Sequence, residues 1–327
     1  AEVGAEGGGA GTDLVLHAAD GEAAAQSDLG GGDGVLASVV EPVGAAGAVG
    51  GGTDQAQAVG LVAAAGTVLA AGAYAIFDDN QFNAPGAPGA FSLDGFSAGD
   101  LWLLSANAGG ALLQFVDHAE FGPAAAGQAL GRWPNGVGGF YPMTALSLGS
   151  VNPGPALGPI EISEVMYSPA PALDDLEFVE LYNRTNQSVS LDGWKLRGGV
   201  DFDFPLGTTV GPYATLVIAH FDPRNPDHGL RLEAFRAAYH IDASVSIVGP
   251  ALGTWNNAGD VVRLLRPGDP SSAVPPVVPS LWVDEVDFSA AAPWPAEAGG
   301  AGLALRRLNR TAFGNDSASW GADLATP

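Results

Sequence analysis

Four segments in close succession decide how this chain is read: IEISEVMY at 160–167, EFVELYN at 177–183, LDGWKL at 191–196 and FDFP at 202–205. In LDGWKL, Trp194 and Leu196 fall on one face of an extended chain while Lys195 and Arg197 fall on the other, the alternation of a half-buried strand. Farther on, Leu216 and Ile218 alternate with Val217 and Ala219, an all-apolar run that suits a central strand covered on both faces. Two carboxylates break the pattern. Glu164 shares parity with Ile160 and Ile162, and Asp284 shares parity with Trp282, Val286 and Phe288, so both point toward the core unless a bulge turns them. Either a bulge or strand end lets each bond nearby amides, or each is a buried acid paired with an arginine or a cation.

Working outward, short apolar runs recur between Gly, Pro and Asp turns, and 48 glycines and 24 prolines among 327 residues favour strands joined by many turns over helices. One exception lies in residues 222–240. There Asp227 is a candidate N-cap, and Leu232, Phe235 and Tyr239 form one apolar helical stripe. The proline-rich stretch at 266–280 reads as a loop between strands, since proline cannot continue a central strand. Residues 58–77 are uncharged but interrupted by Gly60, Gly66 and Gly72, and read as strand, turn and strand rather than a membrane span.

The series from residue 160 to about 323 resembles the bacterial, secreted form of the lamin-tail domain family. The match continues through the strand at 213–219, the helix, and the segments at 257–265, 283–288 and 292–295, to Asn315, Asp316 and Trp320. The resemblance implies an immunoglobulin-like β-sandwich without catalytic residues. Its structural signature is carried here by Glu164, Glu177, Glu180, Asn183, Gly193, Trp194, Trp282, Asp284 and Trp294.

An internal repeat extends the reading to the front half. GT at 66–67 leading to YAIF at 74–77 returns as GT at 207–208 leading to YATLVI at 213–218. AGDLWLL at 98–104 returns as AGDVVRLL at 258–265, and FVDHAEF at 115–121 returns as WVDEVDF at 282–288, in the same order. The expected fold class is all-β: tandem immunoglobulin-like β-sandwiches, with one short helix inserted in the second. The expected domains are a divergent lamin-tail-like sandwich at 1–153, a stiff linker at 154–159 and a complete sandwich at 160–327. Residues 1–65 are rich in Gly and Ala and offer strands at 13–17 (DLVLH) and 35–40 (VLASVV), but no counterpart of EFVELYN or of GWKL. They either close the first sandwich or supply a strand to a neighbouring molecule.

Charge and composition limit the function. The chain carries 36 acidic against 12 basic side chains, a formal charge of -24, which disfavours nucleic acid as a partner. Residues 1–158 hold 15 acidic groups and a single basic one, Arg132. Cysteine is absent, removing disulfides and thiolate chemistry. GFSAG at 95–99 matches the nucleophile-elbow pattern, but a strand rather than a helix follows Ser97. His17, His118, His220, His228 and His240 lack metal-binding spacings and read as ordinary histidines, and no phosphate-binding loop is present. Glycosylation sequons at Asn183, Asn186, Asn309 and Asn315 have meaning only in a host with that machinery. Calcium, through Asp174, Asp175, Asp201 and Asp203, is the one cofactor considered, because it accepts oxygen ligands on irregular loops; a solvated acidic face is the plainer reading of those residues.

These features, with a start lacking Met and an apolar leader that fits either a processed mature chain or a fragment, give the expected function. The chain is read as a secreted, non-enzymatic protein, extracellular or at the cell surface, for binding, adhesion or assembly. Its expected partners are other extracellular proteins, polysaccharide or copies of itself. The alternative is a structural subunit of an extracellular filament or surface layer, joined through sheet edges or strand exchange.

Overall fold

The computed structural model describes residues 2–8, 11–17, 34–39, 60–62, 69–86, 91, 93, 95–106, 112–170, 173–300 and 302–326; in the strands before residue 69 only backbone course and pairing are described. The chain divides into two compact units. One comprises Ala1–Pro155 with Asp269–Pro279, and the other Ala156–Gly268 with Ser280–Pro327. Both are all-β, of immunoglobulin-like sandwich type, and no helix among the described residues is long and apolar enough to cross a membrane.

In the second unit, one sheet runs Ser246–Val248, Thr215–Ala219, Phe178–Asn183, Ile160–Met166, Ala304–Arg307, Trp320–Asp323. The other runs Leu252–Gly253, Val200–Asp203, Lys195–Gly198, Gly259–Pro267, Ser280–Ser289. Between them lies the core that the alternation predicts, with Ile160, Ile162, Val165, Leu181, Trp194, Leu196, Leu216, Ile218 and Phe288. The first sheet is covered on its outer face too. Val217 and Ala219 join Met166 and Phe178 against Phe235 of the helix Gly229–Tyr239, with Leu232 and Tyr239 alongside. The helix entry differs from expectation. A short 3-10 turn, Pro226–His228, precedes it, and Asn225 rather than Asp227 caps that turn by accepting from the Asp227 N–H at 3.0 Å.

The first unit has sheets Tyr74–Phe77, Gly11–His17, Glu2–Gly8, Ala129–Trp133, Gly139–Pro142 and Gly60–Val62, Gly34–Val39, Gly99–Ala106, Leu112–Phe121. Omitting the edge strands Ser246–Val248 and Leu252–Gly253 and the separate two-residue pair Val189–Ser190 with Thr209–Val210 from the second unit leaves the same order. Ranked along the chain, one sheet reads fifth, second, first, eighth, ninth and the other fourth, third, sixth, seventh, antiparallel at every shared pairing. The front half is therefore not short of strands. Gly11–His17 holds the place of EFVELYN, and Gly34–Val39 the place of GWKL. Glu2–Gly8, whose glycines hide its extended character, sits between Gly11–His17 and Ala129–Trp133. The first strand read within residues 58–77 falls partly on residues 63–68, outside the described residues.

Candidate functional site

The two off-parity carboxylates resolve differently. A register shift between Ile162 and Glu164 places an extra residue, Ser163, in its strand, so Val165 returns to the core and Glu164 turns to the outer face. There Glu164 stands directly opposite Glu180; both are buried, and Ser163 Oγ donates to the Glu180 carboxylate. The Thr326 N–H donates to Glu164 Oε1 at 3.2 Å. Desolvation first, and the neighbouring Glu180 second, push the Glu164 carboxyl up to about 8, and desolvation also raises Glu180. Tyr239, whose hydroxyl donates to the Leu176 carbonyl at 2.6 Å, is raised by burial. A shallow cleft of about 340 Å³, lined in part by Tyr239, His240, Leu324 and Thr326, opens nearby.

Asp284 follows the sharper alternative. A register shift at Val283 leaves its carboxylate inside, where it binds Arg307, whose side chain has 0% exposure. Asp284 Oδ2 also accepts the Ile162 N–H at 2.9 Å, and Arg307 donates to the Ile162 carbonyl at 3.2 Å and to the Ala312 carbonyl at 2.7 Å. Asp284 comes from one sheet, Ile162 and Arg307 from the other. The pair supplies backbone partners that Ile162 would otherwise take from a neighbouring strand.

The remaining signature residues make contacts within the second unit. The Asn183 side chain has no exposure: its amide donates to the carbonyls of Gln187, Val210 and Gly211 at 2.7, 3.0 and 2.8 Å, while Oδ1 accepts from the Thr185 N–H at 2.9 Å. This bonding leaves its sequon unavailable in the folded state. Gly193 (φ +74°) completes the turn closed by the Trp194 N–H on the Leu191 carbonyl. Glu177 is buried and accepts the Trp255 N–H at 3.4 Å, with His220 Nε2 3.5 Å away. Trp194 and Trp294 lie in the core, Trp294 against Trp320. Trp282 does not: the shift at Val283 moves it out of the core parity, where Arg263, paired with Glu285, lies over its ring at 5.3 Å.

Of the expected calcium residues, Asp175 is not brought together with Asp201 and Asp203. Asp201 and Asp203 alternate with buried Val200 and Phe202 and project outward from their sheet, Asp203 bonding Arg197. Asp175 instead binds Arg231 of the helix that packs on the opposite sheet. The side chain of Asp174 lies outside the described residues. Ser97 is exposed at the bend that enters the strand Gly99–Ala106, without the following helix an elbow requires.

The first unit contains a cluster that the spacing rules missed. Asp100 and Glu120 are direct register partners in the hairpin of Gly99–Ala106 and Leu112–Phe121, and so are Trp102 and His118. Alternate residues of a strand share a face, which makes these four side chains one patch. His118 Nε2 is 2.8 Å from Asp100 Oδ1, and one donor atom each from Asp100, His118 and Glu120 lie within 4.8 Å of one another. The Trp102 ring stacks on His118 at 3.7 Å between centroids. The available signal was H-x-E on a strand, a two-residue spacing invisible to a search for helical ligand pairs.

The hairpins of the two units share a further device. Each has a register shift within its V-D dipeptide, at Val116 and at Val283, and in each the following Asp binds an Arg of the next long strand: Asp117 with Arg132 at 2.9 Å, Asp284 with Arg307. Residues 153–274 match the Lamin Tail Domain family. The strands Ser280–Ser289, Ala304–Arg307 and Trp320–Asp323 lie beyond the matched span but complete its two sheets. No curated protein matches the chain. Among solved structures, a DUF4876 family protein from Bacteroides thetaiotaomicron VPI-5482 is similar at a TM-score of 0.35 and 10% identity, covering 90% of this chain and 91% of that one.

Proposed function

We propose that the chain is a secreted, non-enzymatic protein of two lamin-tail-like sandwiches that binds an extracellular partner, protein or polysaccharide, through loops and outer sheet faces. One observation carries this reading. In the second unit the buried acidic side chains serve internal contacts, whereas large apolar residues stand in solvent, Leu206 at 87% exposure in the turn after Val200–Asp203 and Leu230 at 81% in the first turn of the helix. Side chains this exposed are available to a binding partner, while buried acids committed to partners inside the fold are not available as general acids or bases. The common strand order and the repeated bulge with its Asp–Arg pair support reading the first unit as a second copy.

The alternative, a filament or surface-layer subunit built by strand exchange, is less well supported. The strands before residue 69 pair within their own unit, and exchange would first require opening those ladders. The long edge strand Ser280–Ser289 has part of its free side occupied, since the Asp287 N–H donates to Asn315 Oδ1 at 2.9 Å.

Sedimentation velocity and negative-stain microscopy over a wide concentration range, followed by an extracellular-protein and glycan array, test the proposal. Monodisperse particles with saturable array binding are expected. Regular polymers would establish the alternative, and turnover of an activated ester abolished by Ser97→Ala would overturn the non-enzymatic reading.

A further inference from the structure

We propose that Asp100, His118 and Glu120 form a binding site for a late first-row divalent metal ion of the zinc class on the outer face of the first unit. The argument begins with charge. Asp100 and Glu120 face each other across the hairpin, and like charges directly opposite in a sheet destabilise it. The first unit contains one arginine and no lysine to neutralise them. That arginine, Arg132, is committed elsewhere: it bonds Asp117, the His118 carbonyl at 2.6 Å and the Gly138 carbonyl at 2.9 Å.

The second unit shows a version of this face in which the central pair is charge-matched. Leu103 pairs with Asp117 as Leu264 pairs with Asp284, so Trp102 and His118 occupy the places of Arg263 and Glu285. There a cross-strand ion pair closes the face. Here His118 contacts Asp100, Glu120 adds a second carboxylate, and the unit's one arginine is engaged elsewhere.

The donor set selects the ion. One imidazole with two carboxylates suits zinc and its neighbours, whereas calcium and magnesium favour oxygen alone. Metal–ligand bonds of about 2.0–2.2 Å place tetrahedral ligand atoms roughly 3.3–3.5 Å apart. The separations here, 2.8 Å between His118 and Asp100 and at most 4.8 Å across the set, bracket that span. His118 and Asp100 are about one-third exposed and Glu120 is exposed, so an ion can reach them and a fourth position stays open to water or an external ligand. The stacked Trp102 ring holds the imidazole plane and places an indole beside the ion.

The test is calorimetric titration of the full chain with Zn²⁺ after chelator treatment, alongside His118→Ala and Glu120→Gln. One saturable site is expected, weakened at least about tenfold in each variant, because losing a ligand costs no less than losing an outer-shell partner does. Cu²⁺ should quench part of the native fluorescence, and Trp102→Phe should remove that part while leaving the Zn²⁺ isotherm in place. If His118→Ala melts early, Glu120→Gln, altered at an exposed side chain, decides alone. Absence of a saturable Zn²⁺ site, or a site unchanged in Glu120→Gln, overturns the proposal.

Discussion

Replacing Asp284 by Ala perturbs the second sandwich at its most enclosed charge. The substitution leaves Arg307, with 0% side-chain exposure, without its counter-ion and leaves the Ile162 N–H without its acceptor. Breaking a buried ion pair by removing one partner costs about 3–5 kcal/mol. For a unit of this size that is roughly 6–20 °C in melting temperature. Because two units need not unfold together, the readout must be local. Five of the seven tryptophans, Trp194, Trp255, Trp282, Trp294 and Trp320, lie in the second unit, and Arg307 sits 5.8 Å from the Trp320 ring centroid, so tryptophan fluorescence during denaturant unfolding reports mainly on it. Asp284→Asn, which retains an acceptor for Ile162, should cost less. The double variant Asp284→Leu with Arg307→Met should recover much of the loss, since apolar residues of similar volume tolerate such a site. A cost below about 1 kcal/mol for Asp284→Ala, or additive single losses in the cycle, would refute the role assigned to the pair.

Trp194→Ala should destabilise the same unit by about 3–5 kcal/mol through the cavity it leaves, measured on the same unfolding curve; Trp282→Ala should cost clearly less, because its ring lies outside the core. Deleting residues 1–57 removes the strands Glu2–Gly8, Gly11–His17 and Gly34–Val39 from the first unit and should produce aggregation visible by light scattering; an equally stable monomer would contradict their place in the sheets. Burial of Glu164 gives a pH dependence whose sign is fixed by which state binds the proton. Between the ordinary carboxylate range and about pH 8 the folded state holds that proton and the unfolded state does not, so stability falls as pH rises across this window. At about 1.4 kcal/mol per tenfold change in proton affinity, the loss has a ceiling of roughly 3–5 kcal/mol. Glu164→Gln should flatten the stability profile between pH 5 and pH 8; a profile as steep as that of the native chain would place the effect on other groups.

The parts of the fold legible in the sequence were those where side-chain period and burial agree. LDGWKL and TLVIA name their own faces: Trp194 and Leu196 enter the core, and Val217 and Ala219 meet the helix. Bulges were legible only as broken parity. They reconcile Glu164 with an outer position and Asp284 with an inner one, and no local pattern separates the two outcomes, because the deciding partner of Asp284 is Arg307, twenty-three positions away. Trp282 was misplaced for the same reason, its parity being reversed by the shift at Val283. Glu2–Gly8 could not be read as a strand because glycine carries no side-chain alternation; its place is set by pairing with Gly11–His17 and Ala129–Trp133. The Asp100, His118 and Glu120 cluster depends on hairpin register, which the chain fixes only after the bulge at Val116 is known.

The two units share a strand order and differ on the outer surface of the corresponding hairpin. In both, the shifted V-D dipeptide presents an Asp to an Arg on the next long strand, a contact that fixes one element against another and leaves little room for change. The neighbouring outward positions face no such demand. One unit fills them with Arg263 and Glu285, which neutralise each other; the other fills them with Trp102 and His118, flanked by Asp100 and Glu120, which do not. A cross-strand ion pair is inert toward solutes because its charges are matched. An imidazole and two carboxylates placed together by the hairpin register hold a defined geometry while retaining affinity for a cation. The hairpin is thus the place where a common scaffold can acquire separate ligands without disturbing the core, and exchanging Trp102 and His118 for Arg and Glu should abolish Zn²⁺ binding in the first unit while preserving its melting temperature.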